Sequence, residues 1–322
     1  MGGAPAKLKI PVGQVRPSTP ETGVKMEGCA CRVRNADLPK ISVVILSHNK
    51  IDYTRTCIHS LLASDYPDWE LVIIDNGSKD GTAEWLKKFR DEAENKNVHV
   101  KLIFNSGNIG CSTARNQGVE AAAGEMIAFC DNDIALRSRS WLKVMAEDLQ
   151  APDVGMVGPK IIYPFDPYDI QCAGAAVTKS GRIQFIGRGE GRNEPAYNVR
   201  REVQCLISAC CMTKKSILDK FGGFDEIFNP VEYEDIDLCY RIRSHGYKIL
   251  YEPAVEMYHF ESVTTEGTQS LPNTYLIVKH SLVFKERWKH MFEKEQGPSE
   301  DAARWRRIPP RRLADIGKLE IK

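Results

Sequence analysis

Two carboxylates stand within three residues of each other at the end of an apolar run. The run, 126–130, reads Met-Ile-Ala-Phe-Cys, and the triplet Asp131-Asn132-Asp133 follows it directly. Carboxylates this close repel each other, so a chain keeps such a pair where a cation neutralises it or where it is solvated in a loop. Their oxygens suit a hard cation such as Mg²⁺ or Mn²⁺. The loop is the better interpretation of the triplet alone.

A second apolar run also ends in an acid. Residues 71–74 read Leu-Val-Ile-Ile, and Asp75 follows them, before Asn76-Gly77-Ser78. The carboxyl ends of parallel strands meet at one edge of a sheet, where ligands of open α/β sheets bind. Two successive strands that deliver acids to one edge favour a site over two unrelated loops.

The elements that must position these acids alternate from residue 41 onward. The pattern predicts strands over 41–46, 70–74, 98–104 and 126–130, and amphipathic helices over 53–63, 82–89 and 112–122. Repeated β-α units need crossovers, so we expect an α/β fold with a mostly parallel central sheet flanked by helices. The carboxyl edge of that sheet would carry Ser47, His48, Asn49, Asp75, Asn105 and Asp131.

A third acidic group, 232–237, reads Glu-Tyr-Glu-Asp-Ile-Asp. A helix from Asp235 to about His245 would place acids in its first turn, where the helix dipole favours them. Asp237 would then pair with Arg241 at i,i+4. Helix capping and the pair with Arg241 account for Asp237, but they do not explain why Glu234 and Asp235 are also acidic. An acid at the mouth of a cleft can serve as the general base that accepts a hydroxyl proton.

Composition and missing motifs exclude several classes of protein. The 322 residues carry a net charge of +1, which gives no general attraction to nucleic acid or to an anionic membrane. The sequence contains no apolar run near the ~20 residues of a membrane span, and no signal-peptide pattern, so we expect a cytosolic enzyme. Dinucleotide-binding, P-loop and serine-hydrolase motifs are absent. The cysteine spacings match no zinc site, although Cys29 and Cys31 could bind metal or be incidental thiols.

Several stretches together resemble family 2 glycosyltransferases with the A-type fold, especially their rhamnosyltransferase-like members. The resemblance spans about 41–265 and lies in the stretches 43–49, 72–82, 105–118, 131–133, 222–226 and 234–241, with His259 after them. It implies transfer of a sugar from a nucleotide-diphosphate donor to an acceptor hydroxyl, with inversion at the anomeric carbon. A divalent cation, Mn²⁺ or Mg²⁺, would stabilise the leaving diphosphate.

The resemblance also implies a role for individual residues. The metal would be held by Asp131, Asp133 and His259. The nucleotide would be bound by Ser47, Asn49, Asp75, Asn105, Arg115 and Asp131, with Asp75 on the base. Asp235 is the expected catalytic base, and Glu234 is its alternative.

We expect a flexible tail over 1–39 and a glycosyltransferase domain over 40–270. Within that domain, 40–135 would bind the nucleotide and 136–270 the acceptor. Residues 271–322 would form a helical C-terminal extension and a basic tail. The helix could pack on the domain, form a homodimer or touch the inner face of a membrane, with packing or dimerisation favoured, and the tail is expected to be solvated.

Two other classes of protein stay open. A nucleotidyltransferase would share the fold and the metal-binding acids. A non-catalytic nucleotide-sugar-binding or scaffold protein would share the residues that bind the nucleotide sugar. The acceptor is equally open, since a saccharide, a lipid-linked saccharide or a peptide would each offer a suitable group.

Overall fold

The computed structural model describes residues 38–94, 98–261, 263, 271–303 and 306–322. From Leu38 to Lys322 these residues form one folded unit. The expected tail, 1–39, and its two cysteines Cys29 and Cys31 lie outside the described residues except at 38 and 39. The proposed division of the chain at 135 and 270 stays a prediction.

The described residues form twelve strands and seven α-helices. The strands are β1 (Ile41–Ser47), β2 (Trp69–Asp75), β3 (His99–Phe104), β4 (Met126–Asp131), β5 (Ile134–Leu136), β6 (Val154–Ile162), β7 (Ile170–Cys172), β8 (Ala175–Val177), β9 (Ile183–Phe185), β10 (Arg201–Val203), β11 (Cys210–Lys214) and β12 (Lys248–His259). The helices are α1 (Ile51–Leu61), α2 (Thr82–Glu94), α3 (Cys111–Ala121), α4 (Trp141–Leu149), α5 (Lys215–Phe221), α6 (Glu234–Ser244) and α7 (Leu271–Phe292).

One sheet with the strand order β10-β12-β6-β11-β4-β1-β2-β3 forms the centre of the described part of the chain. Strands β1 to β4 pair in parallel, as the β-α repetition predicts. Strand β11 lies antiparallel between β4 and β6, so the second part of the sheet is mixed. The parallel register aligns Ser47 with Asp75 and Leu46 with Asp131, which confirms that both acids reach one edge.

Both faces of the sheet are buried, which explains the nearly continuous apolar sequence of its strands. Val43 and Ile45 point into the layer that contains α1, α2 and α4. Val44 and Val72 point into the opposite layer with α3, α5 and α6. Successive side chains of a strand alternate between faces, so each strand supplies both cores.

Helix α7 confirms the predicted C-terminal helix and packs against α6. The ring of Phe284 meets that of Tyr240 edge to face at 5.1 Å. Trp288 Nε1 and Arg287 Nη1 both donate to Asp237 Oδ1, over 2.8 and 3.2 Å. Arg241 Nη2 donates to the other carboxylate oxygen of Asp237 over 2.6 Å, as the i,i+4 spacing predicts.

The segment after α7 agrees only partly with the expected solvated tail. Its described arginines are exposed: Arg306, Arg307, Arg311 and Arg312. Beyond them, Leu313, Ile316 and Leu319 pack beside buried Tyr258 and Phe260. The backbone N–H of Lys322 donates to the carbonyl of Arg137 over 2.6 Å, so the segment lies against the domain.

Substitution of Asp237 should destabilise the whole fold. Its carboxylate is fully buried and accepts from two arginines and an indole, so Asp237→Ala leaves buried donors without a partner. We expect a loss of about 3 kcal/mol in the free energy of unfolding, measured by urea denaturation. The matched variant Asp219→Ala removes an exposed acid of α5 and should change stability by less than about 0.5 kcal/mol. Equal stability of the two variants would contradict the prediction.

Candidate active site

A cavity of about 640 Å³ opens at the carboxyl edge of the parallel strands. It brings the two acidic groups of the sequence together. Its polar lining includes His48, Asn76, Arg115, Asp131, Asn132, Asp133, Gln171, Ser208, Glu234, Asp235 and His259.

Two acids and a histidine converge in this cavity. Asp131 ends β4, and Asp133 follows in the turn before β5. Strand β5 pairs with β12 so that Ile134 lies opposite His259, and this pairing carries the imidazole to Asp133. The ligand atoms of Asp131, Asp133 and His259 all lie within 4.8 Å of one another. The structure therefore places the three expected metal ligands together.

A second residue fixes the orientation of the His259 ring. Its Nδ1 lies 2.6 Å from Oε1 of Gln171, so an N–H at Nδ1 donates there and Nε2 faces Asp133 Oδ1 at 3.2 Å. Such a partner fixes the tautomer of a metal-binding histidine. Burial favours the neutral form of both groups, but their mutual attraction outweighs it, raising the pKa of His259 and lowering that of Asp133.

The donor set fits a divalent cation. Two carboxylates and one imidazole supply oxygen and nitrogen ligands. Two bonds of about 2.1 Å to one central ion would span most of the distance between any two of these ligand atoms. The side chains of Asp133 and His259 are at most 10% exposed, so an ion there would be shielded from water. A proton and a cation would compete for Nε2 of His259, because both need the same lone pair.

Arg115 links Asp131, one of the candidate metal ligands, to the second acidic group. Its guanidinium is buried on α3 and lies over the ring of Phe224. Nη2 donates to Asp131 Oδ1 over 2.7 Å, and Nη1 donates to Glu234 Oε1 over 2.8 Å. Arg115 was expected near the nucleotide; it does border the cavity, with both ends of its guanidinium engaged by acids.

The two candidate bases differ in their surroundings. Glu234 is buried and paired with Arg115. Asp235 is half-buried, lines the cavity, and accepts from the backbone N–H of Ser208 over 3.0 Å. Burial, and then the charge of Glu234, raise the pKa of Asp235 to about 7. A carboxylate with this pKa can accept a proton near neutral pH.

The turn before α6 holds both acids in place. Glu232 and Tyr233 adopt left-handed backbone conformations, with φ of 86° and 76°. His280 on α7 lies with Nδ1 3.0 and 3.1 Å from the carbonyl oxygens of Val231 and Glu232. Non-glycine residues held in this region store strain that surrounding contacts must offset. Helix α7 therefore supports the first turn of α6.

Four of the residues expected to bind the nucleotide are not on the cavity lining, whereas Arg115 and Asp131 are; the four are Ser47, Asn49, Asp75 and Asn105. Ser47 bonds to Thr54, and Asn105 exchanges hydrogen bonds with Gln117. Asn49 Oδ1 accepts from the backbone N–H of Lys79 over 2.8 Å. These contacts shape the loops at the sheet edge, and a direct role in binding stays a prediction.

Asp75 is different because one of its oxygens is free within the described part of the chain. The side chain is buried, and Oδ2 accepts from the N–H of Ser78 over 3.3 Å. Oδ1 has no hydrogen-bond partner among the described residues. A buried acceptor of this kind costs free energy unless a ligand or water satisfies it.

Three residues near the acids were given no role by the sequence analysis. Gln171 and Ser208 make the contacts described above, from the short strand β7 and from the segment before β11. His48 was assigned no role, yet it lines the cavity with Nδ1 2.9 Å from the carbonyl of Asn76. Only the position of His48 after β1 gave any signal in the sequence.

Comparison with known families identifies the class of protein. The model of glycosyl transferase family 2 matches residues 42–222, which is more than half of the chain. The chain therefore belongs to this family, as the ordered motifs indicated.

The match covers only part of the length of two relatives. It is 28% identical over 233 residues to the O-antigen biosynthesis protein RfbC of Myxococcus xanthus, covering 70% of the chain and 18% of that protein. It is 25% identical over 219 residues to the pre-mycofactocin glycosyltransferase of Mycobacterium tuberculosis, covering 68% of the chain and 42% of that protein. The chain thus spans less than half of the length of either relative.

Solved structures share the fold. The crystal structure of GalNAc-T7 with UDP, GalNAc and Mn²⁺ matches 80% of this chain and 49% of its own, with a TM-score of 0.65 and 18% identity. The mannosyltransferase PcManGT of Pyrobaculum calidifontis, in complex with GDP-Man and Mn²⁺, matches 80% and 72%, with a TM-score of 0.52 and 20% identity. The expected A-type glycosyltransferase fold is confirmed.

Among the described residues, no helix has the length and apolar character needed to span a bilayer.

If Asp131, Asp133 and His259 hold a cation, its binding should depend on pH. Titration with Mn²⁺ by calorimetry should show binding that weakens as the pH falls toward 6.5, because the raised pKa of His259 means that protons compete there. Asp133→Ala should weaken binding by at least about tenfold.

The matched control is Asp153→Ala, which removes an acid paired with Lys248 on the surface. It should bind Mn²⁺ like the unaltered chain. Binding that survives Asp133→Ala, or that does not change with pH, would assign the ion to another place.

Proposed function

We propose that this chain is an inverting glycosyltransferase that moves a sugar from a nucleoside-diphosphate sugar to an acceptor hydroxyl with the help of a divalent cation. One observation carries the proposal. A donor set for a cation shares one cavity with Asp235, whose pKa is about 7, and Arg115 bonds both to Asp131 of that set and to Glu234, the neighbour of Asp235.

The cation side would receive the diphosphate of the donor. Asp131, Asp133 and His259 would hold Mn²⁺ or Mg²⁺, and the ion would offset the negative charge that develops on the leaving diphosphate. Both solved neighbours contain Mn²⁺, one with UDP and GalNAc and the other with GDP-Man, which supports this class of ligand.

The nucleotide would lie toward the end of β2. Oδ1 of Asp75, which has no hydrogen-bond partner in the described part of the chain, would accept a hydrogen bond from an N–H of the base, which would satisfy a buried acceptor. Ser47 and Asn49 hold the neighbouring loops in place, so they would act mainly by shaping this part of the site.

The acceptor side would carry the base. Asp235 would take the proton of the acceptor hydroxyl while its oxygen bonds to the anomeric carbon and the bond from that carbon to the diphosphate breaks. A single displacement of this kind inverts the anomeric configuration. Glu234, fixed by Arg115, would act as a positioning residue whose charge keeps the pKa of Asp235 near neutral.

Donor binding and turnover should respond to different substitutions. We expect calorimetry with UDP-glucose, UDP-N-acetylglucosamine, GDP-mannose and dTDP-rhamnose to reveal one donor that binds with Mn²⁺ and not with EDTA. Asp133→Ala should abolish this binding because the diphosphate loses its counter-ion. Asp235→Asn should keep it but slow release of the nucleoside diphosphate by about 100-fold or more.

Each alternative class has its own outcome in the same experiments. Binding without turnover in the unaltered chain would favour a nucleotide-sugar-binding protein. Release of pyrophosphate from a nucleoside triphosphate and a sugar phosphate would favour a nucleotidyltransferase. Binding of no donor by the folded chain would refute the glycosyltransferase proposal.

The pH profile of turnover should follow the ionisation of Asp235. The base must be ionised, so kcat/KM should rise with pH through about 7 and level off above it. Glu234→Gln removes the negative charge that raises the pKa of Asp235, so the rising limb should move to lower pH. The control Glu226→Gln, an exposed acid, should leave the limb in place. If the rising part of the pH profile stays at the same pH in Glu234→Gln, a group other than Asp235 is the base.

A further inference from the structure

Helix α7 carries apolar side chains on two opposite faces. One face is buried, where Phe284 and Phe292 stack at 6.0 Å in the core shared with α6. The other face exposes Tyr275, Val278 and Leu282, at 68%, 55% and 62% of their surfaces. Spacings of three and four residues put these three on one side of the helix, a row that we call the α7 stripe. A surface helix normally needs only one apolar face.

Lysines surround the α7 stripe. Lys279 and Lys289 are exposed beside it, and Lys285 is half-buried at its edge. On the same side Glu286 is exposed, and exposed Glu293 pairs with Lys289 over 3.5 Å, so three lysines are accompanied by two acids. A row of exposed apolar side chains flanked by lysines is typical of helices that lie on an anionic lipid surface.

The same helix forms part of the wall of the cavity. Ile277 lines the cavity one residue before Val278. Apolar residues continue along that lining at Ile183, Phe185 and Ile207. The α7 stripe thus lies on the turn of the helix that also borders the candidate active site.

We propose that the α7 stripe docks this chain on an anionic lipid bilayer. The three side chains insert among the headgroups, and Lys279 and Lys289 contact the lipid phosphates. A second copy of the chain fits less well, because three side chains offer at most about 500 Å², whereas a stable interface buries about 800 Å² on each partner. Docking in this way does not depend on the proposed reaction.

Co-sedimentation with vesicles tests the docking directly. The full chain is mixed with vesicles of phosphatidylcholine alone or with added phosphatidylglycerol. Binding should require the anionic lipid and weaken at high salt, because screening reduces the attraction between lysines and phosphates. The double variant Val278→Ser with Leu282→Ser should bind at least about tenfold more weakly.

Two controls keep the result interpretable. Val199→Ser removes an exposed apolar side chain that lies outside α7, and it should bind like the unaltered chain. Thermal unfolding should give the same Tm for the double variant, since its two side chains are exposed. Absence of vesicle binding, or equal binding by the double variant, would overturn the proposal. A dimer in sedimentation equilibrium that the double variant loses would assign the stripe to a second copy.

Discussion

The buried guanidinium of Arg115 is the constraint on which the rest of the site depends. Removing such a charge from water is costly unless acids neutralise it. Here Asp131 comes from the end of β4, and Glu234 comes from the first turn of α6, 103 residues later in the chain. Each acid must contact the same guanidinium group of Arg115, so the distance between the two acidic groups is fixed. The cation site and the candidate base are therefore parts of one charged network.

The network needs a rigid first turn in α6, and α7 helps to supply it. Asp237, in that turn, is held by Arg241 of its own helix and by Arg287 and Trp288 of α7. His280 of α7 holds the strained backbone just before the turn. A helix outside the residues matched by the family model thus helps to orient Asp235. This explains why α7 belongs to the site although no residue on it was expected to act there.

The sequence predicted what local periodicity encodes, and it missed what distant segments contribute. Alternating apolar runs predicted the parallel strands and placed Asp75 and Asp131 at one edge, as found. The excess acids of 232–237 pointed to α6. Gln171 could not be found, because strand β7 has three residues and its contact with His259 spans 88 positions. Residues 313–322 lack periodicity, so nothing local indicated that they pack on the domain.

Under the proposed function, the charges of the cavity would make cation and donor binding interdependent. Six acids line the cavity together with Arg115 and His259: Asp131, Asp133, Glu232, Glu234, Asp235 and Glu261. Where His259 is protonated, a divalent cation at its Nε2 would replace that proton, and the site would then gain one positive charge rather than two. That gain favours the arrival of a diphosphate. The added positive charge also favours the ionised form of Asp235, whereas the negative charge of a diphosphate disfavours that ionised form. Under the proposed function, the proton affinity of Asp235 would thus depend on the occupancy of the donor side, through a network in which the Arg115 guanidinium lies between the two acidic groups.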